Sequence, residues 1–155
     1  MKKMLTITAI AGLLVSMSFA NWTEGTKSVG GGFTWSSSKT GTNDAVTTMI
    51  VNPAVGYFVM DNMAVNFGLA YSKVGDFDAT TGWNIGGTYY MNEWYGNAAY
   101  GTTGADDSNY LRFGGGYLHS LSDGIYLNTG LQYNMGMGDN ETNTTNFVVG
   151  VSTYF

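Results

Sequence analysis

A chain of 155 residues with 23 glycines, one proline, no cysteine and a formal net charge of −5 is the length of a single domain, and its composition excludes several classes. No disulfide framework or thiol chemistry is available, and an acidic balance argues against nucleic acid, whose phosphates need a basic face. Abundant glycine disfavours helix, since each one costs about 1 kcal/mol inside it, whereas glycine mixed with 15% aromatics and many β-branched residues suits strands and turns.

Residues 1–20 have the pattern of a cleaved export signal. Lys2 and Lys3 give a positive start, Met4 to Met17 form an apolar stretch, and Ser18-Phe19-Ala20 puts small residues at −3 and −1 of a cleavage site after Ala20. The apolar run is too short for a membrane-spanning helix, which needs about 20 apolar residues. The remainder, 21–155, reads as one domain, and nothing in it is a helix-length hydrophobic span.

Period-two alternation then recurs eight times, and each segment predicts a strand. The first is Lys27–Ser38, with Val29, Phe33 and Trp35 on one face and Ser28, Gly30, Gly32, Thr34 and Ser36 on the other. The second, Thr47–Met60, sets Met49, Val51, Val55, Tyr57 and Val59 against Asn52, Ala54 and Gly56. The third, Met63–Ser72, sets Val65, Phe67, Leu69 and Tyr71 against Asn66, Gly68 and Ala70. In the fourth, Trp83–Met91, Trp83, Ile85, Tyr89 and Met91 oppose Asn84, Gly86 and Thr88. The fifth and weakest is Trp94–Thr102, with Trp94, Ala98 and Tyr100 opposite Asn97. The sixth, Asn109–Leu118, places Leu111, Phe113 and Tyr117 opposite Arg112, Gly114 and Gly116. The seventh, Ile125–Met135, places Ile125, Leu127, Leu131, Tyr133 and Met135 opposite Asn128, Gly130, Gln132 and Asn134. The last, Asn146–Phe155, has Phe147, Val149, Val151 and Phe155 on the apolar face, with Thr153 among them. Asn146, Gly150, Ser152 and Tyr154 lie on the other, interrupted only by Val148.

The connections alternate in length. Asp61-Asn62, Asn92-Glu93 and His119–Gly124 are short; Lys39–Val46, Lys73–Gly82, Thr103–Ser108 and Gly136–Thr145 are longer and rich in Gly, Thr, Asp and Asn. Strands of about ten residues joined by short turns at one end and longer loops at the other are the pattern of an outer-membrane barrel. An even strand count brings both chain ends to the short-turn side. Beyond residue 20 every acid falls in a connection or ahead of the first strand, and Arg112 is the only charge well inside a strand, on the small polar face. Aromatic residues gather at strand ends, as expected of interface girdles: Trp35, Tyr71, Trp83, Tyr100, Tyr133 and Phe147 at the outer rim, and Tyr57, Tyr89, Trp94, Tyr117 and Phe155 at the inner. A water-soluble lipocalin-like barrel or β-sandwich inverts this pattern, with large apolar groups inside and charge outside. The expected fold is therefore all-β: an eight-stranded antiparallel up-and-down transmembrane β-barrel.

Three stretches carry a family resemblance: Ser28-Val-Gly-Gly-Gly-Phe-Thr-Trp35, the hairpin Asn52–Tyr71 centred on Asp61-Asn62, and the closing Val148–Phe155. Together they resemble the small bacterial outer-membrane β-barrel family, the OmpX- and OmpA-like barrels, across essentially all of 27–155. The resemblance implies insertion by the barrel assembly machinery, which reads the final strand and its terminal aromatic. Here that signal would be Val149, Gly150, Val151, Tyr154 and Phe155. It implies no catalytic motif and no cofactor.

The chemistry-bearing residues are few. Eight strands leave a bore that side chains fill, so free diffusion of nutrients is not expected, although small inward residues leave room for some water. Arg112, near inward-facing Tyr110, is the lumen's polar candidate, either as a plug or anion site or as a cation satisfied by neighbouring carbonyls, amides and hydroxyls. His119 and Ser120 raise the question of a lipid A-modifying barrel enzyme. Being adjacent, they would point to opposite faces, and they fall at the short-turn end. The triple glycines 30–32 and 114–116 lack the Lys-Ser/Thr of a phosphate loop and suit close strand approach. Asp44, Asp76, Asp78, Asp106, Asp107, Asp139 and Glu141 give the long loops an acidic rim without an EF-hand pattern, and the methionines form no metal cluster. The expectation is a monomeric structural or surface-interaction protein of a Gram-negative outer membrane, with no catalysis. Its surroundings would be outer-membrane lipid and lipopolysaccharide. A narrow low-conductance pore is the alternative reading, and a lipid A-modifying enzyme the third.

Overall fold

The computed structural model describes residues 22–38, 46–104, 108–137 and 143–155, with only the backbone described for 34–38 and 46. The expected export signal lies outside the described residues. The eight strands are β1 (Lys27–Ser38), β2 (Val46–Met60), β3 (Met63–Val74), β4 (Thr80–Met91), β5 (Trp94–Thr102), β6 (Asn109–Ser122), β7 (Ile125–Met137) and β8 (Thr144–Tyr154). Each pairs antiparallel with the next, and β1 pairs with β8 to close the barrel. No helix occurs among the described residues.

Closure brings the two ends of the described chain together. Lys27 N–H donates to the Phe155 carbonyl at 2.7 Å, and Phe155 N–H returns to the Lys27 carbonyl at 2.9 Å. The β1–β8 seam is short. It pairs four residues, Ser28–Gly31 with Tyr154–Val151, where β1 and β2 pair twelve.

All three short connections are two-residue turns: Asp61-Asn62, Asn92-Glu93 and Asp123-Gly124. Each uses one residue in the left-handed region, Asn62 (φ 63°), Asn92 (φ 57°) and Gly124 (φ 73°), and these are the residue types that tolerate it. Register shifts at Phe58/Met60 and Ser120/Ser122 flank two of the turns. The sixth strand was expected to end at Leu118, with His119–Gly124 as a turn. It runs instead to Ser122, with His119 opposite Leu127 and Ser120 opposite Tyr126. The ladder continues past the apolar pattern because each backbone N–H and C=O still needs a partner. The same cause lengthens β3, β4 and β7 into their polar ends.

The faces divide as the alternation predicts. Outward side chains such as Val55, Phe67, Ile85, Phe113, Leu131 and Phe147 are exposed, while Ala64, Thr88, Tyr110 and Tyr154 are buried within. The interior differs from expectation in one half. Toward the two-residue turns it is filled not by Gly, Asn, Ser and Thr but by Phe58, Tyr90, Leu118 and Tyr154, with Tyr95, Tyr126 and Trp22 packed against them. Glycines in register with Tyr95 on the next two strands make the space: a Cβ at Gly116 of β6 or Gly130 of β7 would stand 2.7 Å from the Tyr95 hydroxyl.

Candidate functional site

The lumen has two chemically distinct halves. Toward the longer loops, β6 carries Tyr110 and Arg112 at i and i+2, hence on one face. The Arg112 Nε donates to Asn134 Oδ1 at 2.9 Å and its Nη2 donates to the Tyr110 hydroxyl at 3.1 Å. The guanidinium carbon lies 5.0 Å from the Tyr110 ring centre. Asn134 sits directly opposite Arg112 on β7, and its amide donates onward to Thr144 Oγ1 on β8 at 3.3 Å. The two residues singled out from sequence are thus brought together, in a polar relay that crosses three strands. Among the described residues the hydrogen-bond partners of Arg112 are the neutral Asn134 and Tyr110, and the cation is half-buried between them. Arg112→Ala is expected to cost about 1–2 kcal/mol by leaving Asn134 and Tyr110 without their donor. A lowered urea midpoint with unchanged gel migration of the folded form checks this.

Further polar pairs line the wall: Asn66 Nδ2 donates to Thr88 Oγ1 at 2.8 Å, and Asn128 Nδ2 donates to Ser152 Oγ. Asn97 Oδ1 and Asn128 Oδ1 are buried acceptors without a protein donor, the kind of group that ordered water ordinarily satisfies.

The other half is an aromatic core. Trp22, from the segment ahead of β1, stacks on Tyr90 (centroids 4.7 Å apart) and Phe58 (5.9 Å), and meets Tyr154 edge-on at 4.8 Å and Tyr126 at 5.5 Å. The Tyr90 and Tyr154 hydroxyls stand 3.4 Å apart. Sequence reasoning did not find this cluster. Phe58 and Tyr90 each sit inside an apolar triplet, Tyr57-Phe58-Val59 and Tyr89-Tyr90-Met91, and strict parity was the signal that would have turned them inward. Trp22 had no strand pattern to place it.

His119 lies on the outer wall. It is exposed and packs edge-on against Tyr117 at 4.7 Å, and Tyr117 in turn packs on Trp94 at 5.0 Å. Ser120 follows it in the same strand and so faces the other way; the pair forms no nucleophile–base contact. In β8, Tyr154 is buried in the aromatic core, Val149 is exposed on the outer wall, and Gly150 and Val151 are half-buried; Phe155, just past the strand, is exposed. Of the expected acidic rim, Asp76 and Asp78 flank exposed Phe77 in the β3–β4 loop, where Lys73 Nζ donates to the Phe77 carbonyl at 3.2 Å. Asp44, Asp106, Asp107, Asp139 and Glu141 lie outside the described residues. Among the described residues no three His, Cys, Asp or Glu side chains group as metal ligands. No protein-family model, curated protein or solved structure matches the chain.

Proposed function

We propose that the chain is an integral β-barrel protein of a Gram-negative outer membrane, reached by way of a cleaved signal at 1–20. Its role is structural and surface-interacting, without catalysis. One observation carries the reading: the closed barrel wears its large apolar side chains on the outside. Leu131 is 59% exposed and Phe147 71%, while Phe58 and Leu118, inside, are 0% and 1% exposed. In water such a belt would be a large exposed apolar patch. In hydrocarbon it is the required surface, and the closed ladder satisfies the backbone groups that lipid cannot. Outward Tyr57, Tyr89, Trp94 and Phe155 near one end, and Tyr71, Trp83, Tyr100, Tyr133 and Phe147 near the other, suit two interfacial girdles.

On this reading the surroundings are outer-membrane lipid and lipopolysaccharide, the barrel assembly machinery recognises Val149–Phe155 during biogenesis, and the protein is a monomer. The loops, with Asp76, Phe77 and Asp78 exposed, are the surface offered to the outside. Heat-modifiable gel migration of outer-membrane fractions tests it. A band that shifts on boiling and co-sediments with the outer membrane supports the reading; a band in the periplasmic supernatant rejects it.

The narrow-pore alternative has the polar, partly unsatisfied lumen around Asn97 and Asn128 in its favour, and the aromatic core against it. An enzyme acting on lipid A would need His119 beside a nucleophile. Lipid A mass spectra from cells with and without the protein, and with His119→Ala, separate that reading.

A further inference from the structure

We propose that the segment Trp22–Thr26 is a strap that seals the turn end of the barrel against ions. The inference rests on the membrane-barrel reading and refines it. The strap is not part of the wall, because β1 begins at Lys27. It is fixed across the first turn by its own contacts. Asn62 N–H donates to the Trp22 carbonyl at 2.6 Å, Glu24 N–H donates to Asp61 Oδ1 at 3.0 Å, and Gly25 N–H donates to the Phe58 carbonyl at 2.9 Å. Gly25 holds φ at 88°, a conformation that lets the chain turn back over the opening.

What these contacts deliver is the indole of Trp22. Its ring lies within 6 Å of four aromatic rings that come from four different strands: Phe58 of β2, Tyr90 of β4, Tyr126 of β7 and Tyr154 of β8. A side chain touching strands so widely spaced around a closed barrel occupies its axis. Beyond the cluster the wall turns to Asn, Ser, Thr and Gly, with two buried amide oxygens that no protein donor reaches. The aromatic cluster therefore lies at one end, and the ring at its centre, Trp22, comes from the segment ahead of β1, which is held to β2 by Gly25 N–H on the Phe58 carbonyl and Phe58 N–H on the Thr26 carbonyl, both at 2.9 Å.

The test reads ion flux. The chain from residue 21 to 155 is refolded into proteoliposomes, insertion is verified by heat-modifiable migration, and release of a potassium gradient is followed. Wild type and Trp22→Phe are expected to hold the gradient. Trp22→Ala is expected to leak at least about tenfold faster, since removing the ring at the centre of the cluster opens a gap along the axis of so small a bore. Gly25→Pro, which deletes the N–H to Phe58 and cannot adopt the positive φ, is expected to leak likewise while the β1–β2 ladder from Lys27 to Ser38 is kept. The proposal is overturned if both inserted variants are as tight as wild type, or if wild type leaks as fast as they do. Failure of wild type to insert at all rejects the membrane reading, and the seal with it.

Discussion

Phe58→Ala is expected to lower the unfolding free energy by about 3–5 kcal/mol, the range for truncating a fully buried aromatic side chain. Phe58 has no exposed surface, and its ring lies 5.1 Å from Tyr90, 5.9 Å from Trp22 and 6.2 Å from Tyr154. These partners come from β4, β8 and the strap, so no single strand can shift to close the cavity. Urea titration of the barrel in vesicles should show a lower midpoint with an unchanged slope. A loss under about 1 kcal/mol, the centre of ordinary point-mutant effects, would mean that the aromatic core is not the tightly packed region described.

Phe67→Arg has the second large expected effect, and its size depends on what surrounds the barrel. Phe67 is midway along β3, faces outward and is 43% exposed. Against hydrocarbon near the midplane, arginine costs about 2–4 kcal/mol. On a water-facing surface the same exchange stays within about 0.5 kcal/mol. Folding free energies of wild type and variant, measured in vesicles, decide between the two, and a negligible difference would remove the main support for the bilayer reading.

Much of the architecture is legible in the chain. Alternation alone places β1 and β5 with the bounds observed, and brings Tyr110 and Arg112 to one inward face. The Asp61-Asn62 and Asn92-Glu93 turns follow from the Asn residues that break the pattern. Three things were not legible, for different reasons. Strand ends outside the apolar belt carry no alternation to read, so His119 and Ser120 read as a turn although their backbone groups remain in the ladder. Parity also reports which wall a residue faces but not its height in the cylinder. A period-two reading therefore treats Gly68 and Phe58 alike as inward positions, and does not reveal that the large ones collect at one end. Trp22 lay outside any periodic segment, and only the backbone path over the first turn puts its ring among the others.

The brevity of the junction between β1 and β8 has a consequence for how the cylinder comes apart. Seven ladders run nearly the full strand length; the eighth holds only beside the turn end, next to the Lys27–Phe155 exchange. Unzipping thus has a preferred starting line, at the loop-side margin of that junction, and travels down until it meets Ser28 and Tyr154. Tyr154 is both a rung of the junction and an edge-on neighbour of Trp22. The one place where the wall is thinly stitched is thereby clamped from within by the same rings that stopper the tube.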